Sequence, residues 1–188
     1  MYVKKILVTG GAGFIGANFV EYFASKYPNY CVVDLDNLTY AANHDAWVSQ
    51  ASMSNVVPVE GDIRNADLVR FLLRNYDVTG VIHFAAESHV DNSIVDPLRF
   101  VDTNVNGTAT LLTEALRYWQ ETDRLATARF HHISTDEVYG SLGAEGFFTE
   151  ETPYAPNSPY SSSKAASDHL VRAYAHTYGL NVTISNCS

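Results

Sequence analysis

Thr9-Gly10-Gly11-Ala12-Gly13-Phe14-Ile15-Gly16 is the stretch that decides the reading of this chain. Glycines 10, 13 and 16 form a G-x-x-G-x-x-G pattern where a short apolar run, residues 5–9, gives way to a segment of helical period, residues 14–26. Without Cβ atoms the backbone there can turn tightly and approach a diphosphate, and the free N–H groups and dipole of the following helix stabilise the negative charge. A strand, a glycine loop and a helix in that order open a dinucleotide-binding α/β fold.

The remainder of the chain repeats the unit. Apolar, mostly β-branched runs at residues 5–9, 31–35, 56–60, 80–84, 129–134 and 180–185 alternate with longer segments of helical period. Six such runs imply a doubly wound parallel sheet of Rossmann type with strand order 3-2-1-4-5-6. Pro58 lies inside the third run and lacks the N–H a central ladder needs, so that strand belongs at a sheet edge, where this order puts it. Helices are expected over 14–26, with Ile15, Phe19 and Tyr22 toward the sheet, and from about Asn65, with Leu68, Phe71 and Leu72. Two longer ones are expected over 104–120, with Leu112, Ala115, Leu116 and Trp119, and over 161–178, with Ala165, His169, Leu170 and Ala173. No linker or repeat interrupts the pattern, so residues 1–188 read as one domain.

Composition excludes other classes. A net charge of −9 opposes a phosphate backbone, so nucleic acid is not an expected partner. Cys31 and Cys187, both in apolar sequence surroundings, are too few for a disulfide framework or a zinc site, which fits a reducing cytoplasm. The apolar run before Thr9 is too short for a signal peptide or a membrane span.

About twenty residues past the glycine loop the second strand ends in Asp34-Leu35-Asp36-Asn37-Leu38-Thr39. A carboxylate there can accept both hydroxyls of an adenosine ribose and would repel a 2′-phosphate. Asp36 is preferred to Asp34 for this role, and NAD to NADP, because no basic residue stands in the segment; the alternative for Asp36 is a solvated strand-end acid. Gly61-Asp62-Ile63 offers a second carboxylate, set against an adenine amino group or acting as a helix cap.

Tyr160-Ser161-Ser162-Ser163-Lys164 puts a phenol and an ammonium on one helical face at i, i+4, where the charge can lower the phenol pKa. Alone the pair is a weak signal. It gains meaning from Ser134-Thr135-Asp136-Glu137 at the end of the fifth strand. With residues 85–91 (AAESHVD), 103–108 (TNVNGT), 131–140 (HHISTDEVYG) and 186–188 (NCS), the whole chain resembles the dTDP-glucose 4,6-dehydratases of the extended short-chain dehydrogenase/reductase family. Thr135-Asp136-Glu137 is the most specific part, since the related sugar-nucleotide epimerases resemble Ser-Ser-small there and GDP-mannose dehydratases Thr-Ser-Glu.

The resemblance implies an NAD site lined by Gly10, Gly13, Phe14, Ile15, Gly16, Asp36, Asn37, Leu38, Thr39, Asp62, Ile63, Ala85, Ala86, Thr103, Tyr160 and Lys164, with Ser88 and Thr135 touching a nucleoside-diphosphate sugar. It implies catalysis by Tyr160, Lys164 and Thr135 in oxidation at C4, and by Asp136 as acid and Glu137 as base in loss of water across C5–C6. Such a pair needs separated pKa values, which mutual repulsion and burial can supply. The resemblance also implies a homodimer through the helices near 104–120 and 161–178. Family members continue into a smaller carboxyl-terminal lobe that grips the nucleotide, which is absent from these residues, so NAD binding without turnover is expected of them alone. The loop 140–147 is short beside the family's. UDP-glucose in place of dTDP-glucose, a 4-epimerase, and a non-catalytic NAD-binding module remain as alternatives. His131 and His132, adjacent in one strand, point to opposite faces and read as packing residues rather than metal ligands, His89 stays open, and Asn104 either caps its helix or holds active-site backbone.

Overall fold

The computed structural model describes residues 4–143 and 146–188; Ala144 and Glu145, in the short loop noted above, lie outside the described residues. Six parallel strands, β1 (Lys4–Thr9), β2 (Tyr30–Asp36), β3 (Val56–Glu60), β4 (Gly80–His83), β5 (Arg129–Thr135) and β6 (Val182–Cys187), form one sheet in the order β3-β2-β1-β4-β5-β6. β3 is an edge, and Pro58 pairs with Asp34 from there. β6 runs two residues later than the apolar pattern suggests. Leu180 is buried before the strand begins, and pairing with β5 runs from Phe130 opposite Val182 to Thr135 opposite Cys187.

Alternate residues of β1 enter different cores, as strand periodicity requires. Ile6 and Val8 pack with Val20 and Ala24 on one face, while Leu7 joins Val69, Leu112, Trp119 and Val171 on the other. The helices are α1 (Phe14–Lys26), α2 (His44–Ala51), α3 (Ala66–Asn75), α4 (Val90–Val95), α5 (Pro97–Phe100), α6 (Thr108–Glu121) and α7 (Pro159–Tyr178). A π-helical segment, Val101–Gly107, joins α5 to α6, so the helix expected from residue 104 is the later part of a longer helical run. Asn43 caps the short α2, which apolar spacing did not reveal, by accepting from Ala46 N–H. Trp119 is fully buried and its indole N–H donates to Val78 O at 2.9 Å. Arg70 grips the buried Glu114 with two nitrogens and ties α3 to α6.

Three helical faces differ from expectation. In α1 the buried residues are Gly16, Ala17, Val20 and Ala24, whereas Ile15 and Tyr22 are exposed and Phe19 packs at the core's edge. Small residues let this helix lie close to the sheet, which turns the larger ones outward. In α3 Phe71 is exposed and Val69, Leu72 and Leu73 are inside. In α7 His169 and Ala173 are exposed, and the buried face includes Tyr160, Ser163, Lys164, Ser167 and Asp168. Cys31 is buried, but Cys187 is exposed at the end of β6, so its apolar sequence surroundings do not enclose it. Among the described residues no helix is long and apolar enough to cross a membrane.

Candidate active site

The glycine loop joins β1 to α1 at the carboxyl edge of the sheet. Gly10 has φ 80°, and a Cβ there would lie 2.5 Å from Ala85 N; a Cβ on Gly16 would lie 2.1 Å from Gly10 O. Folding alone therefore demands these two glycines. Gly13 is different: its φ of −74° and ψ of 168° suit any residue, and a Cβ would meet only Gly10 O at 3.3 Å. Gly13 is also the N-cap of α1, which has no capping side chain and no acidic residue in its first turn. Its amino end is thus free to receive an anion.

Gly11 was missed by the spacing argument. A Cβ on it would lie 2.1 Å from both carboxylate oxygens of Asp34, which is fully buried. Asp34 Oδ1 accepts from Gly11 N–H at 3.1 Å, and Gln50 Nε2 donates to Gly11 O at 2.9 Å. Burial first, and then the neighbouring Asp36, push the Asp34 carboxyl up to about 8. The Gly-Gly doublet facing an acid in mid-strand was the signal available in the sequence.

A cleft of about 450 Å³ opens above this loop. Its wall includes Gly10, Gly13, Phe14, Ile15, Gly16, Asp36, Asn37, Thr39, Asp62, Ile63, Ala85, Ala86, Ser88, Thr103, Tyr160 and Lys164. Leu38, half-buried with φ 46°, is not on that wall, although both its neighbours are. Asp36, and not Asp34, faces the cleft; its Oδ2 accepts from Ala12 N–H at 2.9 Å and its Oδ1 from Leu38 N–H at 2.8 Å. Asp62 does not cap α3, a task taken by Asn65, whose side chain accepts from Leu68 N–H. Instead hydrogen bonds from the Arg64 side chain hold the Asp62 carboxyl below its usual range, against the upward push of burial.

At the other end of the cleft α7 is started by a capping box between Ser158 and Ser161, with Pro159 at its first turn. This sets Tyr160 and Lys164 on the same inward face. Lys164 Nζ donates to Ile133 O at 2.7 Å, and burial brings the ammonium down to about 8 against the pull of Asp168. Burial pushes the Tyr160 phenol up, and the Thr135 hydroxyl opposes this. The two residues share a wall, as expected, but the ammonium is engaged by a strand carbonyl, and the expected lowering of the phenol by Lys164 is not found.

Ser134 is the last residue of β5 on the cleft wall; the expected catalytic residues Thr135, Asp136 and Glu137 follow it in the chain and are not on that wall. Asp136 opens a single 3₁₀ turn, Asp136–Tyr139, and Thr135 Oγ1 accepts from Glu137 N–H at 3.3 Å. Burial and the adjacent Asp136 push the Glu137 carboxyl up, so the expected base has its proton affinity raised. Both carboxylates also push the Tyr160 phenol up, which sets them within electrostatic reach of it.

Asn104 lies within the π-helical segment rather than at a helix start, so it does not cap α6. Its Oδ1 accepts from Glu87 N–H at 2.9 Å, and its Nδ2 donates to Glu87 O at 3.0 Å and Ser163 Oγ at 2.8 Å. It therefore fastens the 84–89 segment of the wall to α7. Glu87, also missed, is buried and pairs with Arg99 at 2.7 Å. His89 lines both the cleft and a neighbouring hollow of about 330 Å³ with Tyr40 and Asn92. His132 is buried beside Asp168, while His131 faces the other way and contacts Ser185 Oγ at 2.8 Å.

The chain matches, over residues 7–188, the family described as GDP-mannose 4,6 dehydratase. It belongs to that family. One family relative, the dTDP-glucose 4,6-dehydratase of Xanthomonas campestris pv. campestris (strain B100), is 55% identical over 97% of this chain and 52% of its own length. The crystal structure of a dTDP-glucose 4,6-dehydratase from Streptomyces venezuelae with NAD bound superposes with a TM-score of 0.87 at 47% identity, covering 97% of this chain and 55% of that one. A UDP-glucuronic acid 4-epimerase from Bacillus cereus, solved with NAD, follows at 30% identity and a TM-score of 0.84, covering 97% and 55%. The chain thus spans about half the length of these members and of the epimerase.

Proposed function

We propose that the chain is the NAD-binding and catalytic half of a dTDP-glucose 4,6-dehydratase. The observation that carries this reading is the Thr135-Asp136-Glu137 turn beside Tyr160 at the sheet's carboxyl edge. NAD suits the cleft by two features: Gly13, whose missing side chain no fold contact requires, and the uncapped amino end of α1. The α1 N–H groups would hold the diphosphate and Asp36 the adenosine ribose, while Asp62, Ile63, Ala85, Ala86 and Thr103 form the walls. When bound, NAD supplies an acceptor for the C4 hydride and the source from which it returns to C6.

Tyr160 Oη, in its phenolate form, takes the proton of the sugar 4-hydroxyl, with Thr135 Oγ1 orienting that hydroxyl and Ser88 holding the sugar. Lys164 holds positive charge behind the phenol. The resulting 4-ketone acidifies C5–H, which Glu137 removes, while Asp136 delivers a proton to the departing C6 hydroxyl. An epimerase needs only the first of these steps, so the adjacent carboxyls favour the dehydratase over that fold-mate. The partner is a nucleoside-diphosphate glucose, with UDP-glucose as the second candidate base. A homodimer through the outer faces of α6 and α7 and a cytoplasmic setting complete the reading; these helices are already joined by the Thr113 and Tyr174 hydroxyls at 2.8 Å. The test is turnover of dTDP-glucose by the intact protein to a 4-keto-6-deoxy product. A 4-epimerised sugar, or no C6 reduction, refutes it.

A further inference from the structure

Asp168 carries a buried carboxylate that the steps above do not use. It stands one turn beyond Lys164, so Tyr160, Lys164 and Asp168 share one face of α7 at i, i+4 and i+8. Ser134 Oγ and Tyr154 Oη each donate to its Oδ2 at 2.8 Å, and His132 Nε2 lies 3.2 Å from its Oδ1. Two consecutive residues of β5 therefore hold the helix: the Ile133 carbonyl takes Lys164 Nζ, and the Ser134 hydroxyl takes Asp168. The next residues in the chain are Thr135, Asp136 and Glu137. Tyr154, whose ring meets Tyr139 edge-on, brings in the segment before α7.

The titratable groups coupled to Lys164 come from four elements: Asp168 on α7 and Cys187 on β6, which raise it, and His132 on β5 and His83 on β4, which its charge lowers. Burial, aided by the Lys164 charge, holds His132 down to about 4 and His83 well below its usual value, so both are neutral at neutral pH. Burial pushes the Tyr160 phenol up, and it is not among the groups that raise Lys164. Asp168 is the strongest anion acting on Lys164, with Cys187 weaker. Burial works to raise the Asp168 carboxyl, but His132, Ser134 and Tyr154 outweigh it and keep the group charged.

We infer that Asp168 is a positioning residue of this site: the buried counter-charge that keeps Lys164 an ammonium and ties it to the strand end bearing Thr135, Asp136 and Glu137. The inference rests on the reading of Tyr160 and Lys164 as the oxidising pair. Its test needs no substrate. Lysine ¹³Cε signals of the chain are titrated by NMR in the parent, Asp168→Asn and Asp168→Glu. In the Asn variant the Lys164 midpoint should fall by about one pH unit or more, and in the Glu variant it should recover. An unchanged midpoint in Asp168→Asn overturns the inference.

If Asp168→Asn does not hold its fold, the double variant Asp168→Asn/Lys164→Met, which buries neither charge, should melt above the single one. A double variant that melts no higher also overturns it. In the intact enzyme the alkaline limb of NAD reduction should move down with the NMR midpoint. A limb that stays put while the midpoint falls upholds the counter-charge and counts against the catalytic role of Lys164.

Discussion

Replacing Gly13 and Gly16 by alanine, one at a time, separates a glycine kept for a ligand from a glycine kept for the fold. At Gly16 the new Cβ would sit 2.1 Å from Gly10 O, so main chain must move by about 1 Å, and overpacking of that kind costs about 1–3 kcal/mol or more. The better helix propensity of alanine returns about 1 kcal/mol. The net loss of up to about 2 kcal/mol lowers the melting temperature by up to roughly 8 °C for a chain of this size. At Gly13 the backbone is already in a common region and the nearest contact is 3.3 Å. Loss of the preferred N-cap, about 0.5–1 kcal/mol, is offset by the stiffer unfolded chain, about 0.4–1 kcal/mol, so stability should hardly change. The methyl group would, however, stand where a diphosphate approaches the α1 amino end. Losing one charge-assisted hydrogen bond, about 1.5–3 kcal/mol, weakens NAD binding at least tenfold. Calorimetric melting and NAD titration measure both quantities. If Gly13→Ala binds NAD within twofold of the parent, or melts as low as Gly16→Ala, the assignment of Gly13 to the dinucleotide is wrong.

Asp36→Asn should weaken NAD binding about tenfold and narrow its preference over NADP, read by titrating both; a parent that binds the two equally removes the ribose assignment. In the intact protein, Tyr160→Phe should abolish NAD reduction, Glu137→Gln should accumulate NADH with C5–H retained, and Asp136→Asn should exchange the C5 proton while losing water about 10²–10⁴ more slowly. NADH absorbance, deuterium uptake and product analysis follow these variants with dTDP-glucose and UDP-glucose, and near-parent dehydration by either carboxyl variant sinks the elimination pair. Asp34 is raised from 3.8 to about 8, so the folded state binds the extra proton between those values and stability falls as pH rises through that window, by up to about 1.4 kcal/mol per unit. Asp34→Asn keeps the acceptor for Gly11 N–H and should remove that slope, so its melting temperature should exceed the parent's near pH 8; parallel pH–melting curves would show that Asp34 ionises normally.

Local chemistry was enough to read the sheet. Six β-branched runs, glycines where strand becomes helix, and Pro58 barring the third run from the sheet interior determine strand number, direction and order, because each is a constraint on backbone geometry within a few residues. The same holds for Asp36 at a strand end and for the Tyr160–Lys164 spacing, where one helical turn decides the common face. Burial was different. Apolar period misplaced the inward faces of α1 and α7, because small residues let α1 pack closely and because α7 buries serines, a lysine and an aspartate that find partners in β5, Asn104, Tyr154 and α7 itself. Gly11 opposite Asp34, Glu87 held by Asn104 and Asp168 held by Ser134 and Tyr154 join residues 14 to 34 positions apart, and partners at such separations leave no periodic trace. Sequence alone therefore marked the candidate residues along the chain. Tertiary packing decided which of those groups are charged, because burial and distant hydrogen-bond partners set proton affinity.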